Sequence, residues 1–237
     1  MATCDLPTLT NAPFGLFATL PHGTVASVPD IFGGGSAVQA RGVQQVYFTT
    51  FACAALKSDE SVVTWGHIEY GGDMSDAVRA QLARGVKEIS STLGAFAAVK
   101  FDGSVVTWGH ENYGGDSYDV NHLLNGGEQC RVTALYSTNF AFAALRENGR
   151  VVAWGGHLYG GRTGAKAPQL TSGVTDNIRG GCAFAAVKSD GYVVTWGGGF
   201  FRDHGLTMAL MDGLRISSAV GNDVSFAAIL DDGSLLM

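Results

Sequence analysis

The chain has 237 residues, of which 46% are hydrophobic and 34 are glycine, so it can bury a substantial core and is not a charge-rich disordered chain. Its formal charge of −6, with no cluster of lysine and arginine, argues against a general nucleic-acid binder. It has no run of 18 apolar residues and no secretory signal at its start. We expect a soluble protein that does not insert into membranes, and the sequence leaves open a targeting segment cleaved upstream.

One short phrase recurs along the chain and divides it into units. Val-Thr-Trp-Gly occurs at 63–66, 106–109 and 194–197, and Val-Ala-Trp-Gly occurs at 152–155. Each tryptophan follows, by 12 residues, an anchor position at the start of a Phe-Ala-Ala segment. The anchors are Phe17, Cys53, Phe96, Phe142, Phe184 and Phe226. The spacing predicts six tandem units of one β-rich repeat.

Each unit contains two short apolar runs separated by a turn signal. In the third unit the runs at 95–100 and 104–108 flank Asp102-Gly103, a pair typical of a β-hairpin because glycine accepts a positive φ. The second unit has Asp59-Glu60 there, which predicts a wider or more strained turn. A further strand candidate precedes each hairpin, at 43–46, 86–89, 132–135 and 174–178. We predict three to four antiparallel strands per unit.

These strands are apolar on both faces, so each small sheet must be covered on both sides. Radial stacking achieves this and limits exposed edges, which predicts an all-β fold, a six-bladed β-propeller occupying residues 1–237 as one domain. Five or seven blades and a β-solenoid are the alternatives. We interpret the paired alanines as marking strands crowded near the axis, and the tryptophan as a wedge between blades. The first unit, with Val28-Pro29 in the Trp-Gly position, and the last unit are incomplete.

The repeat resembles that of the regulator of chromosome condensation family, in which a strand of small residues, an Asp-Gly turn and a Trp-Gly strand follow one another. It is most similar to the shorter repeat of bacterial β-lactamase inhibitor protein II, whose Ser-Gly-Val strand is matched here by Ser172-Gly173-Val174. The resemblance runs from Gly42 to the end and implies a propeller, generally of seven blades. It implies no single function, because exchange factors, inhibitors and ligase modules share the fold. The wedge and basic tail of the nucleotide-exchange member have no counterpart here.

The loop after Trp-Gly is the most patterned polar segment, and it replaces the family's usual Asn-x-x-Gly-Gln. Its histidine, tyrosine and aspartate recur in successive units and predict an arc on one propeller face that anchors a protein or glycan partner. The alternative is structural: Tyr-Gly-Gly closes a turn and packs between blades, while the aspartate caps the next segment. The candidate residues are His67, Tyr70, Asp73, His110, Tyr113, Asp116, His157 and Tyr159.

No motif for catalysis, phosphate binding or dinucleotide binding is present, and we expect no enzyme activity, cofactor or metal. The four cysteines, at 4, 53, 130 and 182, do not follow the repeat and include no C-x-x-C pair. We expect buried thiols and a reducing compartment, either cytoplasm or an organelle interior. The sequence favours a non-enzymatic interaction scaffold, a subunit or docking module of a larger complex. A lectin-like glycan binder and a proteinaceous enzyme inhibitor are the alternatives.

Overall fold

The computed structural model describes residues 8–12, 15–20, 24–27, 41–198, 213–221 and 226–236. Val28, Pro29 and Cys4 lie outside these ranges. Every unit contributes one sheet of three antiparallel strands, in the order first, middle and third. The sheets are β1 (Thr8–Ala12), β2 (Gly15–Leu20), β3 (Thr24–Ser27); β4 (Val43–Phe48), β5 (Ala52–Lys57), β6 (Val62–Gly66); β7 (Val86–Ser91), β8 (Ala95–Lys100), β9 (Val105–Gly109); β10 (Val132–Ser137), β11 (Ala141–Arg146), β12 (Val151–Gly155); β13 (Val174–Arg179), β14 (Ala183–Lys188), β15 (Val193–Gly197); and β16 (Ile216–Gly221), β17 (Phe226–Leu230), β18 (Leu235–Leu236).

The hairpin between the middle and third strands is closed by the predicted turn. Gly103 has a φ of 82°, and the Asp102 carboxylate accepts hydrogen bonds from the backbone N–H and the hydroxyl of Ser104. Glu60 replaces that glycine in the second unit and adopts a φ of 65°, which confirms the predicted strain. The turn is not wider, because the closing bond from Lys57 N–H to the Ser61 carbonyl matches its counterpart in the third unit.

The sheets from β4–β6 onward pack side by side in chain order, and from β7 onward the first strand of each lies against the first strand of the preceding sheet; β7, β10 and β13 also lie against its middle strand. Each of these first strands carries a β-bulge after its first residue, between Val86 and Glu88 in β7 and at the matching place in the others. The alanine-rich strand lies in the middle of its sheet. The small size of its alanines, which are buried on both faces, suits the close approach of the sheets on either side.

The core is divided into equivalent layers between consecutive sheets. Along β8, Phe96 and Ala98 face the preceding sheet, whereas Ala95, Ala97 and Val99 face the following one. All five are fully buried, because successive strand residues point to opposite sides and both sides are covered. A Phe-Ala-Ala strand thus serves two cores at once, which explains why it is the most constant part of the repeat.

The variable part of each unit runs outside the sheets. In the second unit it forms α1 (Asp76–Gln81), whose N-cap, Ser75, accepts a hydrogen bond from Val78 N–H. The third unit has a 3₁₀ turn at Tyr118–Val120 followed by α2 (Asn121–Leu124). The fourth has a 3₁₀ segment at Gly164–Leu170 that contains Pro168. Within the described ranges, no helix has the length and apolar character needed to cross a bilayer.

Candidate functional site

Two sets of loops meet at one end of the sheets. The first set is the turns that join first to middle strands, and the second is the 3₁₀ helices that follow the Trp-Gly strands, Ile68–Tyr70, Glu111–Tyr113 and His157–Tyr159. We call this end the aromatic face and define it by residues 49–51, 67–73, 92–94, 110–116, 138–140 and 156–162. The opposite end, formed by the hairpins at 58–61, 101–104, 147–150, 189–192 and 231–234, is the hairpin face.

A buried threonine fixes each 3₁₀ helix to its own sheet. The Thr92 hydroxyl donates to the Tyr113 carbonyl at 2.9 Å and accepts from the Ala95 backbone N–H at 3.0 Å. Thr49 and Thr138 make the same pair of bonds in their units. Because the threonine is 4 to 6% exposed in all three units, water does not compete strongly for these bonds.

The glycine after each tyrosine joins consecutive sheets. The Trp108 indole N–H donates to the Gly71 carbonyl at 3.2 Å, and the same bond joins Trp154 to Gly114 and Trp196 to Gly160. Gly71 has a φ of 90°, and a Cβ there would lie 2.7 Å from the Phe96 ring. Tyr-Gly-Gly therefore has the structural role that the sequence suggested as an alternative, and the tryptophan packs between sheets as predicted.

The tyrosines, with the histidines and two phenylalanines, form one continuous row of rings across three units. Phe51 meets Tyr70 edge to face at a centroid distance of 4.7 Å, and Tyr70 lies 6.3 Å from Tyr113. Tyr113 stacks on Phe140 at 5.1 Å, and Phe140 stacks on Tyr159 at 4.0 Å. The row of half-buried rings joins the three units into one surface.

Two predicted histidines belong to this row and the third does not. His67 and His110 are the N-caps of their 3₁₀ helices and contact the tyrosine of the same loop at 5.4 and 5.2 Å. The His110 Nδ1 accepts a bond from Asn112 N–H. In the third loop Gly156 is the N-cap, so His157 occupies the next position, where it is exposed. His157 is therefore the counterpart of Ile68 and Glu111 rather than of the other histidines.

The predicted aspartates are exposed and anchor the segment that follows them. The Asp73 carboxylate accepts from Met74 N–H and from the Arg79 guanidinium, each at 2.8 Å, and these bonds lower the pKa of Asp73. The Asp116 carboxylate accepts from Tyr118 N–H at 2.8 Å. The third loop has Arg162 at this position. Both aspartates thus bond to the backbone that follows them, although the N-cap residues of the next helical segments are Ser75 and Ser117.

Sequence reasoning missed the apolar side chains that the turns bring to this face. Phe51 and Phe140 precede the alanine strands, where the third unit has Gly94, and a Cβ on Gly94 would lie 2.6 Å from the Tyr113 ring. Leu93 is 40% exposed at the neighbouring position. Ile68 and Leu158 in the 3₁₀ helices are 67% and 46% exposed. An apolar residue inside a predicted turn was the available signal.

Metal binding and thiol chemistry are the other functions to consider for the described residues. These residues contain no group of three or more histidine, cysteine or carboxylate side chains placed to hold a metal ion. Cys53 and Cys182 are buried. Burial raises the pKa of the Cys53 thiol to about 12, so this group stays protonated and unreactive.

No protein-family model matches the chain, and no curated protein matches its sequence significantly. Its fold is similar to the ectodomain of the Physcomitrella patens receptor kinase CR4, with a TM-score of 0.56 and 16% identity, over 96% of this chain and 61% of that one. Human WBSCR16 has a TM-score of 0.56 and 15% identity, over 90% and 69% of the two chains. Saccharomyces cerevisiae Prp20p has 0.51 and 13%, over 90% and 63%.

The similarity to Prp20p, the yeast regulator of chromosome condensation, supports an all-β propeller fold of that type. The Prp20p structure was described together with binding to Gsp1p and histones. This chain spans less than two thirds of the length of the moss ectodomain and of Prp20p. At these identities the likeness concerns the fold alone.

Proposed function

We propose that this chain is a non-enzymatic protein-interaction scaffold, a docking module or subunit of a larger complex, and that the aromatic face binds the partner. The observation that carries the proposal is the combination of exposed Ile68, Leu93 and Leu158 with the row of rings on one end of the sheets. Apolar and aromatic side chains on a rigid backbone are the usual anchors of protein interfaces.

The way these residues are held supports the same function. Threonine hydroxyls, glycine carbonyls and indole N–H groups fix each loop before any partner arrives. Little conformational entropy is then lost on binding, which favours affinity. The turns of neighbouring sheets are also joined by backbone bonds, from Thr50 N–H to the Leu93 carbonyl and from Leu93 N–H to the Asn139 carbonyl.

We further propose that the six sheets are the blades of one closed ring. Support comes from the six equivalent three-stranded sheets in the described ranges and from the side-by-side packing of consecutive sheets from β4 onward. Small-angle X-ray scattering tests closure, because a closed disc and an open arc of the same mass differ in radius of gyration. A profile that fits only an open arc would rule out the closed ring.

Affinity purification from the source organism tests the interaction function. The tagged chain is compared with Ile68→Asp/Leu158→Asp, which places two carboxylates on the aromatic face. The matched control is Phe101→Asp/Tyr192→Asp, which changes two residues of the hairpin face that are 56% and 45% exposed. We expect stoichiometric partners to be lost by at least about tenfold in the first variant and retained within about twofold in the control.

Two results would contradict the proposal. The first is that the unmodified chain, purified under mild conditions, captures no protein in stoichiometric amounts. The second is equal loss of partners in both double variants, which would place the interface elsewhere. Recovery of glycans rather than proteins at this face would favour the lectin-like alternative.

A further inference from the structure

The three loops of the aromatic face have the same backbone and differ in charge along the row. The first loop carries Glu69 and Asp73, and the second carries Glu111 and Asp116. The third loop carries no acidic residue and has Arg162 in the aspartate position. The acidic half of the face therefore coincides with the rings of Tyr70, His110 and Tyr113.

The carboxylates of this half differ in whether a cationic side chain of the chain pairs with them. Asp73 pairs with Arg79 at 2.8 Å. Glu69, Glu111 and Asp116 are exposed, and none of them has a cationic partner in the part of the chain that the structure describes. Three exposed carboxylates in the two loops that also carry these aromatic rings create a surface of negative potential that a cation relieves.

Some carboxylates of the hairpin face are paired with cations of the chain. There Lys57 pairs with Asp59 at 2.7 Å, and Arg131 lies 3.8 Å from Glu147. Arg215 contacts Asp231 at 3.2 Å and also lies over the Tyr192 ring at 5.5 Å. The chain thus supplies cations to Asp59, Glu147 and Asp231 on the hairpin face, whereas in the acidic half of the aromatic face only Asp73 has one among the described residues.

The rings strengthen the same preference. An arginine or lysine placed at Tyr70 and Tyr113 gains a cation–π contact as well as a carboxylate, and the half-buried setting reduces competition from water. Arginine fits best because its planar guanidinium stacks on a ring and binds a carboxylate through two donors. An acidic segment would be repelled by the three carboxylates.

We propose that the partner presents a basic segment, with arginine side chains, to the half of the aromatic face formed by residues 67–73 and 110–116. This inference rests on the proposed function and specifies the chemistry of the partner. Leu158 and the stacked rings of Phe140 and Tyr159 then contact an apolar part of the same segment.

Fluorescence anisotropy with labelled peptides tests the proposal. The probes are three peptides of equal length in which alanine alternates with arginine, glutamate or serine. The test variant is Glu69→Gln/Glu111→Gln/Asp116→Asn, which removes the charge and keeps size and hydrogen-bond acceptors. The matched control, Glu60→Gln/Glu147→Gln/Asp231→Asn, removes the same charge from the hairpin face. A third variant, Tyr70→Leu/Tyr113→Leu, keeps the charge and removes the rings.

We expect the arginine peptide to bind the unmodified chain, and the glutamate and serine peptides to bind at least about tenfold more weakly. The test variant and the ring variant should each weaken arginine-peptide binding at least about tenfold, and the control by less than about threefold. Thermal melting checks that every variant is folded.

Equal weakening in the test and control variants would overturn the proposal, because net charge alone would then explain binding. Tighter binding of the glutamate or serine peptide would also overturn it, while leaving the protein-interaction function intact. No binding of the arginine peptide overturns it as well, and the affinity purification described above then decides separately whether the chain binds a protein.

Discussion

The two ends of the sheets are built from the same repeats and use them differently. On the hairpin face the turns are closed by hydrogen bonds within themselves. The Asp232 carboxylate accepts from the Ser234 N–H and hydroxyl, and Asp102 and Asp59 accept the equivalent bonds in their units. On the aromatic face the backbone is also hydrogen-bonded, but the side chains at one equivalent position, Ile68, Glu111 and His157, differ between units and contact solvent. The comparison teaches that one repeat can carry self-contained turns at one end of the sheets and a surface shared by three units at the other.

Trp154→Ala should give the largest effect, because it damages the layer that supports the aromatic face. Trp154 is 4% exposed and stacks on Phe142 at 5.3 Å. We expect a loss of about 3–5 kcal/mol in the free energy of unfolding, measured by urea titration. Trp154→Phe, which keeps an apolar ring but loses the bond to Gly114, should cost less. A loss below about 1 kcal/mol for the alanine variant would contradict the packing role.

Asn177→Leu should stabilise the protein. Asn177 is 5% exposed, and its side-chain amide makes no hydrogen bond within the described residues. It pairs with Ala186 as Leu135 pairs with Ala144, so the repeat places an apolar side chain at the same position. We expect a gain of about 1–2 kcal/mol in urea titrations. The reciprocal Leu135→Asn should destabilise strongly, and a destabilising Asn177→Leu would indicate that a bound water satisfies the amide.

Acid should weaken the hairpin face. The hydrogen bonds from Lys57 and Ser61 lower the pKa of Asp59 to about 2, and the hydroxyl of Ser104 lowers the pKa of Asp102. A carboxyl with a lowered pKa in the folded state stabilises the fold above its unfolded pKa, and this contribution is lost as the pH falls. Stability should therefore decline between about pH 4 and about pH 2. Asp59→Asn/Asp102→Asn should show a shallower decline in thermal melts, and an unchanged slope would contradict the assignment.

Ile68→Asp should have the smallest effect on stability, within about 0.5 kcal/mol, because the side chain is 67% exposed. Phe101→Asp on the hairpin face should be equally neutral. Thermal melts of the two variants test this expectation. If both variants melt at the temperature of the unmodified chain, a difference between them in partner capture reflects binding and not loss of folding. A marked loss of stability in Ile68→Asp would show instead that this side chain supports the fold.

Much of this architecture could be predicted from the sequence because repetition made it visible. The constant spacing from Phe96 to Trp108 reflects a hairpin pair in register, and these two residues stack at 5.2 Å. The same spacing predicted that the loops after Trp-Gly lie at equivalent places in successive units. Phe51 and Phe140 were missed because the turn position they share holds Gly94 in the third unit, so no pattern repeats there.

The indole N–H groups of Trp108, Trp154 and Trp196 each donate to a glycine of the preceding unit, and this has a consequence for mapping experiments. Trp108, Trp154 and Trp196 hold the loops that contain Tyr70, Tyr113 and Tyr159, so each loop depends on a residue of the next unit along the chain. An alanine scan of binding should therefore return two sets of positions out of phase by one repeat. Substitutions in one set remove contacts with the partner. Substitutions in the other set weaken binding because they release the loops, although those residues do not touch the partner.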